Sequence, residues 1–324
     1  TLSEPAIPET ASLSATLQNR LPQVALIAAL AVLAYLGFAL VGDASVIRDG
    51  LQRLGPVQWL MLLGLSLCNY GLRFVRWHGY LHVLGARLTW RRDGLIYLAG
   101  FAFTVTPGKA GEAVRSVYLR RAGVSWSPGL AALAVERVLD LAAMLLLAAL
   151  ALRIVAEQAV PALLLVGLVT GLLFLLTRPR MLNKLLAWLS AHGRWARVAQ
   201  GTTAILDDAR LLLSPGRLLI GLLLGLLAWA AEAWGFYLLL SWLGVGSELW
   251  QSMGIYAVSM LAGALSFLPG GLGGAEAAMV ALLVAGGAMF SVAVLATVIC
   301  RVVTLWFAVV LGIVAVFLLG RRSV

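Results

Sequence analysis

Charge is scarce in this sequence. Of 324 residues, 24 are Lys or Arg and 14 are Asp or Glu, 12% together, whereas a water-soluble domain spends about a quarter of its residues on charge. That shortage excludes a chain whose whole surface faces water. Cysteine is scarcer still: Cys68 and Cys300 both stand inside apolar stretches, which leaves neither a disulfide framework nor a cysteine-based metal centre. There are three histidines. His78 and His82 share a helical face at i and i+4, but the sequence supplies no third ligand, so no metal site is expected. A Walker motif, a dinucleotide fingerprint and a nucleophile elbow are all missing, so ATP-driven action by this chain alone and a bound cofactor are not expected.

What the sequence has in abundance is apolar surface, 62% of residues with a mean hydropathy of +0.97. The runs Leu21–Val41, Val57–Phe74, Leu130–Ala151, Val160–Leu176, Leu218–Leu243 and Val292–Leu319 are each long enough, or nearly so, to cross about 30 Å of hydrocarbon as a helix. The first is preceded by nearly twenty residues that include Glu4, Glu9 and Arg20, without a short cleavage region, and reads as a membrane helix rather than a signal peptide. Two shorter apolar stretches, Gly94–Val105 and Met253–Leu268, end at Pro-Gly elements. Pro removes a backbone donor and Gly opens dihedrals closed to other residues, so each element predicts a break in a helix. The expected fold is therefore all-α and polytopic in the membrane: six full spans plus two broken or re-entrant helical hairpins.

The basic surplus, +10 with His neutral, follows topology rather than nucleic-acid binding. With the spans in order, 19 of the 24 basic residues fall on one side, Arg48, Arg53 and Arg153 fall on the other, and Arg137 and Arg301 fall inside spans. The excess of Lys and Arg on cytoplasmic loops then places both termini in the cytoplasm of a cell membrane, of the bacterial inner-membrane type. The expected organisation is a cytoplasmic segment at 1–20, one transmembrane domain over 21–320, and a cytoplasmic or interfacial linker at 178–216. Inside that linker Leu182, Leu185, Leu186 and Leu189 form a short apolar face.

An internal repeat emerges from spacing. Glu112 follows the first break and Arg137 comes 25 residues later; Glu276 follows the second and Arg301 again comes 25 residues later, so both pairs share an offset of 164. Asn69 and Glu232 mark the spans before the two breaks. Counting crossings makes the halves, about 57–150 and 217–319, an inverted repeat, a plan in which transporter sites lie where the broken segments meet.

An Arg inside a membrane span is costly without a partner or water. One reading pairs Glu112 with Arg137 and Glu276 with Arg301 as structural clamps. The other lets the guanidinium forks of Arg137 and Arg301 receive an anionic headgroup. Backbone amides of Pro107-Gly108-Lys109-Ala110-Gly111 and Gly270-Gly271-Leu272-Gly273-Gly274, after Pro269, would support them. Glu136 and Asp140 share a face at i and i+4 beside Arg137. Asn69, Arg73 and Arg76 form an i, i+4, i+7 stripe, read either as snorkelling arginines or, with Lys109 and Arg115, as a basic vestibule. Glu232 could accept a hydrogen bond from the second hairpin, carry a proton or meet a cationic headgroup.

Thr106-Pro107-Gly108-Lys109-Ala110-Gly111-Glu112-Ala113-Val114-Arg115, with Ala134-Val135-Glu136-Arg137-Val138-Leu139-Asp140, resembles the Pro-Gly-x-x-Gly-Glu-x-x-Arg and Glu-Arg-x-x-Asp signatures of the lysylphosphatidylglycerol synthase transmembrane, or flippase-like, family. Leu268-Pro269-Gly270-Gly271-Leu272-Gly273-Gly274-Ala275-Glu276 looks like its second-half counterpart, and the resemblance spans roughly residues 20–320. It implies movement of lipids or lipid-linked glycans between leaflets. The family's aminoacyl-transfer chemistry belongs to a separate soluble domain for which this chain leaves no length, so aminoacyl transfer is not expected. Thr104 departs from the Asn of many relatives, a change that would alter substrate choice if that position meets the headgroup. The expected function is translocation of an anionic phospholipid or polyprenyl-linked phosphate, with anionic membrane lipids or lipid-linked glycans as partners. The alternatives are a membrane enzyme acting on a lipid-linked phosphate and a nonenzymatic lipid-binding adaptor.

Overall fold

The computed structural model describes residues 44–105, 112–153, 196–266 and 268–321, with positions 167 and 171. Among the described residues the regular structure is entirely helical. The N-terminal segment, the spans expected at 21–41 and 160–176, the Pro107-Gly108-Lys109-Ala110-Gly111 break and the leucine face at 182–189 lie outside them, apart from those two isolated positions.

The described helices are α1 (Ala44–Gln52), α2 (Pro56–Val83), α3 (Trp90–Phe101), α4 (Val114–Arg121), α5 (Trp126–Arg153), α6 (Ala196–Leu212), α7 (Pro215–Trp242), α8 (Leu249–Leu265), α9 (Gly274–Ala285), α10 (Phe290–Arg301) and α11 (Phe307–Arg321). A single 3₁₀ turn, Pro269–Gly271, stands between α8 and α9. A π turn, Val302–Trp306, joins α10 to α11. The element order α2, α3, α4, α5 recurs as α7, α8, α9 and the α10–α11 rod.

Local chemistry recurs with that order. Both α2 and α7 run 28 residues and place Pro at the first helical turn, where the missing N–H has no helical acceptor to lose. The ends of α2, α4, α7 and α9 are closed by left-handed glycines, Gly85, Gly123, Gly244 and Gly287. In each, the glycine and the next residue donate back into the last turn, as Gly85 N to the His82 carbonyl at 3.1 Å and Ala86 N to that of Leu81 at 2.9 Å. Those bonds satisfy orphan helix carbonyls. The same stop signal therefore sits at matching places in both halves.

Twenty-eight residues rise about 42 Å, enough to span hydrocarbon. By length and composition, α7 and the Phe290–Gly320 stretch meet that requirement outright; α2 and α5 match α7 in length but carry the charged residues described below. Side chains such as Leu60, Ile220, Leu227, Val310 and Phe317 face outward at 56% exposure or more. In a membrane chain that outward apolar surface has lipid to meet.

Helix α2 lies along α7, α3 packs on α11 and α8 packs on α5. Cross-contacts fix the direction of the central pair: Arg76 reaches Gly221, Asn69 reaches Ala228 and Arg53 reaches Leu243. Rising numbers on one helix meet falling numbers on the other, so α2 and α7 are antiparallel. Beside this bundle, the linker helix α6 docks on α5, where Ser127 Oγ donates to Asp208 at 2.5 Å.

Two close approaches depend on glycine. Gly263 in α8 lies against the Gly271 backbone and Ala275, which brings the second break tight onto its own hairpin. A Cβ on Gly312 in α11 would stand under 3.0 Å from backbone atoms of Phe101 and Ala102. Backbone cannot turn aside as a side chain can, so overpacking here is costly. Gly312→Val is expected to destabilise the protein by about 1–3 kcal/mol, read as a lowered unfolding temperature in detergent, whereas valine at the unobstructed Gly64 should change it far less.

Candidate functional site

Seven of the sequence-predicted residues form one buried network. Arg73 and Arg76 of α2, Arg115 of α4 and Arg137 of α5 surround Glu112, Glu136 and Asp140. Asp140 takes Arg76 at 2.6 Å and both Arg73 and Arg137 at 3.2 Å. Glu136 takes Arg115 at 3.0 Å and Arg76 at 3.7 Å. Glu112 takes Arg137 at 3.4 Å and Arg115 at 3.5 Å. Four guanidinium groups against three carboxylates leave the set one charge positive when all are ionised. The network joins α2, α4 and α5 within one half and reaches α7 through the Arg76 bond to the Gly221 carbonyl.

Arg73 and Arg76 are 6% and 2% exposed, so the stripe does not snorkel outward: both side chains turn inward onto Asp140. Asn69 is equally internal and donates to the Ala228 carbonyl at 2.9 Å. Arg115 is sandwiched among aromatic rings, 4.1 Å over Tyr97 and 5.1 Å over Trp77. A guanidinium stacks on such faces where an ammonium would not. Trp77 and His78 in turn bond the two oxygens of Asp93, at 3.0 and 2.6 Å, and tie α2 to the start of α3.

The second half is simpler. Arg301 Nε donates to Glu276 at 2.7 Å, and a terminal nitrogen donates to the Gly270 carbonyl at 2.9 Å. The other oxygen of Glu276 accepts from Gly273 N at 2.7 Å. Gly270, Gly271 and Gly273 all hold positive φ, a conformation that costs residues with a Cβ, so the glycine run both turns the chain and presents these groups. Gly274 opens α9 beside Ser266. The two Glu–Arg pairs at spacing 25 are thus both formed, one inside a network and one inside the break itself.

A cavity of about 70 Å³ separates the halves. Arg73, Thr104 and Glu112 come to its wall from the first half; Trp229, Glu232, Gly270 and Arg301 come from the second, with Tyr70, Phe101 and Tyr256 around them. Five expected site residues, Arg73, Glu112, Glu232, Gly270 and Arg301, meet here. Arg137 is not in this wall; it braces Glu112, which is. Arg76, Arg115, Glu136 and Asp140 stand in the network behind it, and Pro107, Gly108, Lys109 and Gly111 lie outside the described residues. Spacing alone missed Tyr70, Trp229 and Tyr256, although intramembrane Tyr and Trp carry a polar atom that must find a partner.

Those partners matter for what the cavity can hold. Tyr256 donates to Glu232 at 2.5 Å, and Tyr70 donates to the Thr304 carbonyl across the two halves. Arg73 Nε, Thr104 Oγ1 and Trp229 Nε1 are buried without a hydrogen-bond partner. Buried donors left open in this way need an acceptor, and the same wall carries two guanidinium groups, Arg73 and Arg301, against two carboxylates, Glu112 and Glu232.

Comparison with known proteins agrees with the architecture. The profile of the lysylphosphatidylglycerol synthase transmembrane region matches residues 23–312. A UPF0104 membrane protein of Methanothermobacter thermautotrophicus is 25% identical over 273 residues, covering 78% of this chain and 82% of that relative.

Removing one member of a buried pair strands the other, at about 3–5 kcal/mol. Glu276→Gln is expected to cost that much by thermal unfolding in detergent, and the double replacement Glu276→Gln with Arg301→Gln to recover part of it. A loss in the double variant equal to the sum of the losses in Glu276→Gln and Arg301→Gln alone would mean that the pair is not coupled.

Proposed function

The chain belongs to the lysylphosphatidylglycerol synthase transmembrane family, and from that premise we propose that it moves an anionic lipid headgroup, of a phospholipid or a polyprenyl-linked phosphate, between the leaflets of a membrane. The observation that carries this reading is the cavity lined by Arg73 and Arg301, with Arg73 Nε, Thr104 Oγ1 and Trp229 Nε1 as buried donors without a hydrogen-bond partner in the residues around it. A phosphate offers what those donors lack, oxygen acceptors bearing charge. Only the headgroup needs this shielding, because the lipid tails can stay in hydrocarbon.

The proposed mechanism uses the two halves as an inverted repeat. Antiparallel α2 and α7, the repeated element order and the packing of α3 on α11 and of α8 on α5 support that orientation. The helix–break–helix segments α3–α4 and α8–α9 serve as re-entrant hairpins whose ends meet the headgroup near the midplane, and rocking of one half against the other opens the site to either leaflet. Non-helical backbone at that depth is tolerated where it lines a cavity, as Gly270 after Pro269 does. In this arrangement Arg301 and Arg73 hold phosphate, Glu276 and Asp140 orient them, and Arg137 positions Glu112. A single transmembrane domain in a bacterial-type inner membrane, with both termini cytoplasmic, completes the proposal, with anionic lipids as its partners.

The test is leaflet exchange of fluorescent phosphatidylglycerol and of a labelled polyprenyl phosphate in vesicles containing the purified protein. Arg301→Gln is expected to slow exchange about tenfold or more, the worth of a charge-assisted contact of about 1.5–3 kcal/mol, with rates compared at equal amounts of folded protein. No acceleration over protein-free vesicles with either lipid would refute translocation; chemical conversion of the labelled lipid would point to an enzyme instead.

A further inference from the structure

Glu232 belongs to two cavities at once. It stands in the wall of the 70 Å³ cavity and also in that of a smaller one of about 10 Å³, lined by Leu62, Leu65, Ser66, Gly235, Cys300 and Thr304 among others. On α2 the large cavity takes Tyr70 and Arg73 while the small one takes Leu62, Leu65 and Ser66. On α7 the large cavity takes Trp229 and the small one Gly235, Phe236 and Leu239. Because α2 and α7 are antiparallel, both sets of numbers say the same thing: the two spaces lie on opposite sides of Glu232 along the helix axes. The small one has room for about one water, with hydroxyls of Ser66 and Thr304 at hand.

Charge gives this position a use. Four ionisable groups of opposed sign line the large cavity, Arg73 and Arg301 against Glu112 and Glu232, and balance when all are ionised. A phosphate arriving there makes the site net negative in a medium that screens poorly. A proton on Glu232 offsets that charge, so phosphate binding and protonation favour each other, and by linkage the preference is mutual. Ionisable carboxylates inside membrane helices serve as proton relays for this reason.

The groups facing Glu232 are compatible with exchange of one proton. Tyr70 and Arg73 approach from α2, Tyr256 from α8, and Cys300 and Arg301 from α10. Glu136 and Asp140 of α5 are held by arginines of the network, and Glu276 by Arg301. Glu112 shares the cavity but sits between Arg115 and Arg137, at 3.5 and 3.4 Å.

We infer that Glu232 is a proton site between two cavities, and that translocation of the phosphate headgroup is coupled to its protonation. The inference rests on the reading of this cavity as a phosphate site. The chemistry is a single reversible step: a proton from water forms an O–H bond on the Glu232 carboxylate as phosphate binds and returns to water when it leaves.

The experiment is exchange of fluorescent phosphatidylglycerol in phosphatidylcholine vesicles holding the full chain, at equal pH on both sides from about 5.5 to 8.5, a range in which buried carboxylates titrate. Exchange is expected to rise about tenfold towards the acid end, as one linked proton allows, and an inward acid gradient should drive tracer accumulation. Glu232→Gln is expected to leave whatever exchange remains flat with pH. Tyr256→Phe removes a donor that favours the ionised carboxylate, so its pH midpoint should move up. Exchange that proceeds at a pH-independent rate in the native protein, or a pH profile unchanged in both variants, overturns proton coupling and leaves translocation standing. No exchange at any pH overturns both.

Discussion

A guanidinium cannot be left alone in a dry interior, and most of this architecture answers that constraint. Arg73, Arg76, Arg115 and Arg137 are carried on three different helices, so neutralising them with Glu112, Glu136 and Asp140 fixes how α2, α4 and α5 meet. Buried ion pairs of this kind are weak arguments for stability, because desolvation offsets the Coulomb gain. Their stronger effect is on register: a one-turn slip of α2 would carry Arg76 away from Asp140 and from the Gly221 carbonyl it now bonds. The second half meets the same constraint with one arginine, one glutamate and the carbonyl of a glycine, and so places its charge at the break rather than behind it.

That difference gives the cavity its composition. From the first half it receives the front edge of a network already braced from behind, Arg73 and Glu112. From the second it receives the break itself, Gly270 with Arg301, and the carboxylate of Glu232. Aromatic rings seal the remainder and bring polar tips with them. Among the described residues the hydrophobic packing falls into three clusters, one centred on α7, α8 and α10, another on α2, α3 and α5, and a smaller one around Phe103, Val105, Leu305 and Val309.

Much of this was legible in the sequence. The helices expected at Leu130–Ala151, Leu218–Leu243 and Val292–Leu319 are present with ends shifted by one to four residues, and the span expected at Val57–Phe74 continues to Val83. It extends because α2 carries Arg76 as well as Arg73 inside the protein, whereas a hydropathy reading ends where the arginines accumulate. The Glu–Arg spacing found both pairs because a repeated distance survives when surrounding apolar residues drift. Periodicity could not say which way the Arg73 and Arg76 stripe faced, since an inward cation and a snorkelling one have the same spacing. Nor could it assemble Tyr70, Trp229 and Tyr256, which meet only through contacts between distant helices.

The π turn at Val302–Trp306 has a consequence for comparing the halves. Its counterpart region in α5 is regular α-helix, whereas a π turn accommodates an additional residue, and each residue turns a helix by about 100°. In the proposed repeat the offset of 164 therefore ceases to identify equivalent faces beyond Arg301, and α11 presents Gly312 to α3 by a register that α5 does not share.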